Sequence, residues 1–295
     1  MASSPQYGIA ASWGAGIRRV LAQNPGPFTG TGTGTFIIGT GEVAVIDPGP
    51  ALPQHIDNIL DALDPEETVT HILITHTHAD HSPGAALLKA RTGAATFGFG
   101  PHGGTIGSHT ETDRMEAGVD RSFIPDFSIE DGEILRSDNW EIQALHTPGH
   151  CSNHVCYAYL DQASLFCGDH LMAWSTTVIL PPDGNIKAYL DSLQRLLSRP
   201  ETIYYPTHGE PIRQPIEHIR RVIDHRRSRI NQIHDALKAS EQTLHSLREA
   251  LYPDVSIHLH TAAEYSILAS IGYLIETHCV RPLHQPGETA RFEAI

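Results

Sequence analysis

Residues 75–81 read Thr75-His76-Thr77-His78-Ala79-Asp80-His81, which sets three imidazoles and a carboxylate within six residues. An apolar run, His71 to Thr75, leads into them. Pro83 to Ala90 follows with helical character and a proline in its first turn. The donors therefore fall in a strand-to-helix loop at a sheet edge, where side chains can converge while the sheet holds the backbone still. Imidazole and carboxylate are ordinary zinc donors. Four of them in so short a stretch are too many for one unstrained site. They suit two adjacent ions, one taking His76 and His78, the other Asp80 and His81.

Working outward, three more donors stand in small-residue turns at strand ends. They are His150 in His146-Thr147-Pro148-Gly149-His150, Asp169 in Cys167-Gly168-Asp169-His170, and His208 in Pro206-Thr207-His208-Gly209. A glycine near each donor lets the backbone approach a crowded site. The remaining pattern predicts a hairpin of Thr35–Ile38 with Val43–Ile46, a helix over His55–Leu63, and short strands at 95–97, 134–135 and 142–145. It predicts a second hairpin of Val155–Leu160 with Ser164–Cys167, an amphipathic helix over Ile186–Leu197, and a strand at Ile203–Tyr205. After about residue 212 three helices are expected, at 216–237, 242–251 and 262–279, followed by a tail bearing proline and glycine. The organisation is an α/β body, residues 1–212, with a small C-terminal helical module, residues 213–295.

The bulk numbers limit the function. The chain has 295 residues and a formal net charge of −14, which disfavours non-specific binding to nucleic acid or anionic membranes. Its 20 histidines equal lysine and arginine together. Cys151, Cys156, Cys167 and Cys279 form no CxxC pair and are expected to be reduced. Met1 to Ala22 lacks the charged and apolar regions of a signal peptide, and no window reaches the roughly 20 apolar residues of a membrane span. A cytoplasmic protein that does not enter the membrane is the expectation.

The set His76, His78, Asp80, His81, His150, Asp169 and His208, in this order over residues 30 to 212, resembles the metallo-β-lactamase superfamily. The run His146 to His154 is similar to glyoxalase II. Asn24-Pro-Gly-Pro27, Thr176-Thr177-Val178 and the stretch around Tyr189 resemble the β-lactamase-like protein 2 group, some of whose members are endoribonucleases. The resemblance implies a four-layer αββα sandwich, with a winged-helix-like C-terminal module. It implies two zinc ions per chain, the first on His76, His78 and His150, the second on Asp80, His81 and His208, with Asp169 bridging. Catalysis would rest on Asp80 and Asp169 with a metal-bound hydroxide, since metal lowers the pKa of water from about 15.7 towards about 7. Thr207 departs from the family in replacing the glycine often found before the last ligand. Asp169 stands where one antibiotic-hydrolysing subclass has cysteine, and its harder carboxylate suits ester, thioester, lactone and phosphodiester hydrolases.

Further residues are expected around this centre. Asp47, between a strand and a tight turn, either orients a ligating histidine or closes an Asx-type turn. His154 and His170 are candidates for a supporting or substrate role, with a packed strand histidine as the alternative. Trp174, Ser175, Thr176, Thr177 and Tyr189 are candidates for the substrate cleft, and Tyr189 also lies on an apolar helix face. Thr29-Gly-Thr-Gly-Thr-Gly-Thr35 lacks a Walker lysine and precedes a strand, so it reads as a site-facing or flexible loop. Arg220, Arg221, Arg226, Arg227 and Arg229 crowd one helix as a solvated face or an RNA contact. The favoured reading is a hydrolase of a small activated carbonyl: a lactone, thioester or β-lactam. The alternatives are an endoribonuclease on single-stranded RNA and a non-catalytic binding protein.

Overall fold

The computed structural model describes residues 5–104, 118–257, 260–283 and 291–295. Its first sheet holds, in spatial order, β1 (Ala11–Gly14), β2 (Ile17–Leu21), β3 (Gly34–Ile38), β4 (Glu42–Ile46), β5 (Thr68–Leu73), β6 (Ala95–Gly98) and β7 (Phe127–Ser128). Pairing is antiparallel up to β4 and parallel from there. The helices α1 (Pro53–Asp61) and α2 (Gly84–Thr92) make the crossovers from β4 to β5 and from β5 to β6. The second sheet is ordered β12-β11-β10-β9-β8, from β8 (Ile134–Ser137), β9 (Trp140–His146), β10 (Val155–Tyr159), β11 (Ser164–Gly168) and β12 (Ile203–Pro206). Here α3 (Ile186–Leu196) crosses between the parallel neighbours β11 and β12.

Strand alternation assigns the layers. On β3 and β4, Phe36, Ile38, Ala44 and Ile46 face the space between the sheets. Ile37, Val43 and Val45 point the other way, onto α1 and α2. On β10, Val155, Tyr157 and Tyr159 meet that first set, while Cys156 and Ala158 face α3. Both sheets are thus buried on both faces, which is why their central strands read as near-continuous apolar runs. The result is the αββα sandwich that the resemblance implies.

The C-terminal stretch forms α4 (Pro215–Ala239), β13 (Gln242–Thr243), α5 (Leu244–Leu251), α6 (His260–Glu276), β14 (Val280–Leu283) and β15 (Arg291–Ala294). The last three strands make a small sheet ordered β13-β15-β14. One apolar cluster runs from the outer face of the second sheet through α3 into α4, α5, α6 and Phe292.

Three findings differ from the sequence expectation. β1 and β2 were not expected, because Arg18 and Arg19 interrupt the apolar run. Arg18 is held by Glu67 at 2.7 Å, and the Arg19 guanidinium lies 4.5 Å from the centroid of the Trp13 ring. The third C-terminal helix stops at Glu276, and the expected tail contributes β14 and β15; residues 284–290 of that tail lie outside the described residues. The five arginines do not share a face. Arg226 is buried, and Arg229 packs 4.3 Å over Tyr252, whereas Arg220, Arg221 and Arg227 are exposed. All four cysteines are free, and no helix among the described residues is long and apolar enough to cross a membrane.

Candidate metal centre

Four strands, β5, β9, β11 and β12, end at one edge of the sandwich, and the loops that follow them carry all seven donors. His76 Nε2 lies 2.9 Å from His78 Nδ1, and His150 Nε2 lies 3.0 Å from the same atom. In the second set, His208 Nε2 is 3.1 Å and His81 Nε2 3.5 Å from Asp80 Oδ2. Within each of the groups His76-His78-His150, His76-His81-Asp169 and Asp80-His81-His208, the donor atoms fall within 4.8 Å of one another. Asp169 faces both sets. Its Oδ1 is 3.4 Å from His208 and 3.6 Å from His81, and its Oδ2 is 3.9 Å from His150.

The far side of each ring determines which nitrogen points inward. His81 Nδ1 donates to Asp47 Oδ2 at 2.8 Å, His150 Nδ1 to the Val178 carbonyl at 2.5 Å, and His208 Nδ1 to the Gly32 carbonyl at 3.1 Å. The Thr75 hydroxyl donates to Asp47 at 2.7 Å, so it accepts from His76 Nδ1 at 3.0 Å. Each of these rings thereby turns its Nε2 toward the centre, where it can ligate a metal once it carries no proton. His81 Nε2 and Asp169 Oδ1 are buried there without a well-formed hydrogen bond. Buried polar atoms rarely lack a partner, and a cation between them satisfies both. The residues fit a metal pair.

The two sets differ in charge. Burial, reinforced by neighbouring histidines, holds His76 and His78 well below the usual imidazole range, and burial also lowers His150. The first set is therefore neutral. Burial also works against charge in the second set, but the ionic partners outweigh it. The His81 charge and the His208 hydrogen bond bring Asp80 down to about 2. Asp169, by charge and hydrogen bond, and Asp80 raise His208 to about 9. Asp80 and Asp169 likewise push His81 well up, and His208 and His81 hold Asp169 well down.

The other expected residues divide. Asp47 is fully buried and accepts from the Thr75 amide at 2.8 Å and the Thr207 hydroxyl at 3.3 Å, besides His81 and the Thr75 hydroxyl. Thr207, the departure from the family pattern, thus binds the residue that orients His81. His154 Nε2 accepts the Asp169 amide at 3.3 Å, while its Nδ1 lies 3.0 Å from the Thr147 hydroxyl. Trp174 and Thr176 line a cleft beside the donors. Tyr189 does not: it is fully buried, and its hydroxyl donates to the His170 carbonyl at 2.9 Å. His170 is packed beside it, with ring centroids 4.7 Å apart. The glycine-rich loop faces the site through the Gly32 carbonyl and through Thr33, whose hydroxyl is 3.5 Å from Asp80.

Sequence reasoning missed His102 and Asp183, two further wall residues whose His102 Nε2 to Asp183 Oδ2 distance is 3.8 Å. Neither belongs to a recognisable motif. It also missed the carbonyls of Val178 and Gly32, which any residue could supply.

The model of the metallo-beta-lactamase superfamily matches residues 29–208. The lactamase-like protein aptB of Emericella nidulans is 27% identical over 287 residues, covering 93% of this chain and 85% of that one. An atrochrysone carboxyl ACP thioesterase of Aspergillus chevalieri is 31% identical over 228 residues, covering 77% of this chain and 67% of that one. A crystal structure of a beta-lactamase domain protein from Burkholderia ambifaria matches with a TM-score of 0.81 at 18% identity, covering 99% of this chain and 95% of that one, a likeness of fold. With seven donors gathered at one sheet edge and a family match across most of the sandwich, the chain belongs to the metallo-β-lactamase superfamily and is a hydrolase of that superfamily.

Proposed function

We propose that the chain hydrolyses the thioester of an uncharged, apolar acyl group at a pair of zinc ions. His76, His78 and His150 would hold one ion, Asp80, His81 and His208 the other, with Asp169 between them. The carrying observation is the cleft over these donors, about 740 Å³ in volume. Its walls include Phe28, Met172, Trp174, Val178, Leu180 and Tyr265, and among the described residues no lysine or arginine lines it. An apolar acyl group gains from burial against such walls. A phosphodiester backbone relies on cationic side chains along its length for affinity, and beyond the metal centre the described walls offer it no lysine or arginine. The inward turn of Arg226 and Arg229 weakens the RNA reading further. The relatives named as carboxyl ACP thioesterases point to the same bond.

When bound, a metal pair polarises the carbonyl and supplies a nucleophile from water at neutral pH. The chain's own groups do the rest. Asp47 and the carbonyls of Val178 and Gly32 hold the imidazoles in the ligating tautomer. Phe28 and Trp174, large apolar side chains left more than half exposed, offer the acyl group a surface at the mouth. The Trp174 indole lies so close to Gly209 that a Cβ there would come within 2.8 Å of it, which ties the platform to the loop of His208. A thiolate leaves without prior protonation, because a thiol ionises near pH 8.5, so the reading requires no buried acid. We also assign residues 213–295 as a C-terminal module that lends Tyr265 to the cleft wall.

The test is a panel on zinc-loaded protein: acetyl and naphthoyl thioesters of N-acetylcysteamine, a lactone, a chromogenic cephalosporin and single-stranded RNA. The naphthoyl thioester should be the best substrate. Trp174→Ala should lower kcat/KM for it about tenfold, as the loss of one aromatic contact of roughly 1.5 kcal/mol requires, and should leave the acetyl ester little changed. Ready RNA cleavage with inert thioesters would overturn the proposal.

The charge pattern yields a second expectation. His208, raised to about 9, and His81, pushed well up by the same carboxylates, are both protonated in metal-free protein at neutral pH. Zinc must displace both protons from the second set and none from the neutral first set. Zinc affinity of one site should therefore fall as pH drops from about 9, while the other changes little down to neutral pH. Calorimetry in buffers of different ionisation enthalpy should find about two protons released with one ion and about none with the other. Equal release at both steps would contradict the assignment.

A further inference from the structure

Arg226 is 6% exposed, and among the described residues no carboxylate pairs with it. A buried guanidinium without an anion is costly, so its contacts are informative. One terminal nitrogen donates to the Thr177 carbonyl, and the guanidinium carbon sits 5.5 Å from the centroid of the Tyr189 ring. Both contacts lead to His150. The Thr177 hydroxyl is 3.1 Å from His150 Nδ1, and the next carbonyl, Val178, accepts from that nitrogen. On the other side, the Tyr189 backbone presses on Gly149, where a Cβ would lie 2.3 Å from the Tyr189 Cα. Arg226 thus braces both approaches to this imidazole, from a helix outside the family-matched residues 29–208.

We infer that Arg226 is a positioning residue for His150, through which α4 sets the zinc affinity of the His76-His78-His150 site. The inference rests on the metal assignment above. It replaces the role in RNA binding that the arginine cluster suggests, because this side chain is turned away from solvent.

The experiment is zinc titration against a chromophoric chelator, which resolves two binding constants. Arg226→Met keeps the side-chain length and apolar packing but removes the donor to Thr177. One constant should weaken about tenfold to a hundredfold, the range for losing a group that orients a ligand, while the other stays at the wild-type value. Arg226→Lys keeps a cationic donor and should recover most of the loss. Equal constants for wild type and Arg226→Met, with or without a lower melting temperature, would overturn the inference. So would a lysine variant as weak as the methionine one. If Arg226→Met does not fold, amide exchange of the wild-type chain decides: zinc should slow exchange at residues 177–178 and around Arg226 but not near Leu237. Zinc that slows neither, or slows both ends of α4 alike, would overturn the coupling. A wild-type chain that binds no zinc would refute the metal assignment itself, an outcome distinct from these.

Discussion

Asp169→Asn should lower kcat/KM for a thioester substrate about a thousandfold while the fold is retained. Asp169 is the carboxylate that faces both sets, with Oδ1 towards His81 and His208 and Oδ2 towards His150. Asparagine keeps the shape and the amide that binds His154, but it replaces a charged oxygen by a neutral group. Metal stabilisation of the reacting oxygen is worth several kcal/mol, and each 1.36 kcal/mol is a factor of ten in rate. Losing roughly 4 kcal/mol gives the stated effect. Steady-state kinetics at saturating zinc, with circular dichroism as the fold control, provides the check. Activity within tenfold of wild type would remove Asp169 from the centre of the mechanism.

The second large effect is expected at Asp47. Its backbone has φ of +48°, a conformation that asparagine also tolerates, so Asp47→Asn introduces no new strain. The hydrogen bonds cannot all survive. Oδ2 accepts from His81, Thr75 and Thr207, and Oδ1 accepts from the Thr75 amide. An amide group set at either position confronts at least one buried donor with another donor, at a cost of about 1–3 kcal/mol each. If the clash falls on His81, the ring moves its proton to Nε2 and can no longer ligate through it. The Asp80-His81-His208 site should lose about a hundredfold in zinc affinity, and thermal unfolding should begin at a lower temperature. Excess zinc should restore part of the activity. Unchanged affinity and unchanged melting temperature would show that Asp47 only closes a turn.

That His76, His78, Asp80, His81, His150, Asp169 and His208 gather at one sheet edge was legible because residue type itself carries the signal: His and Asp in loops at the ends of apolar strands, the last three beside glycine. The sandwich was legible from its two-sided apolar strands. What orients the donors was only half legible. Asp47 carries a carboxylate that sequence can flag, whereas the Val178 and Gly32 carbonyls are backbone atoms without a type. Arg18 and Arg19 hid β2, since a buried arginine held over an aromatic ring looks like a solvent-facing residue in a sequence. Arg226 left a trace of its true place. It falls at helical spacing among the buried Ile219, Val222, Ile223, Ile230 and Ile233, so the apolar stripe of α4 runs through it. Its charge drew the eye to solvent, while its spacing pointed inward.

Two zinc ions on these seven residues are proposed to hydrolyse an uncharged thioester in the apolar cleft. The most direct measurement adds zinc stepwise to chelator-treated protein and follows, in the same samples, bound zinc per chain and hydrolysis of the naphthoyl thioester. Binding should saturate near two ions per chain, with thioesterase activity rising to its plateau at that stoichiometry. Saturation at one ion or fewer, or two bound ions with no thioester hydrolysis, would contradict it.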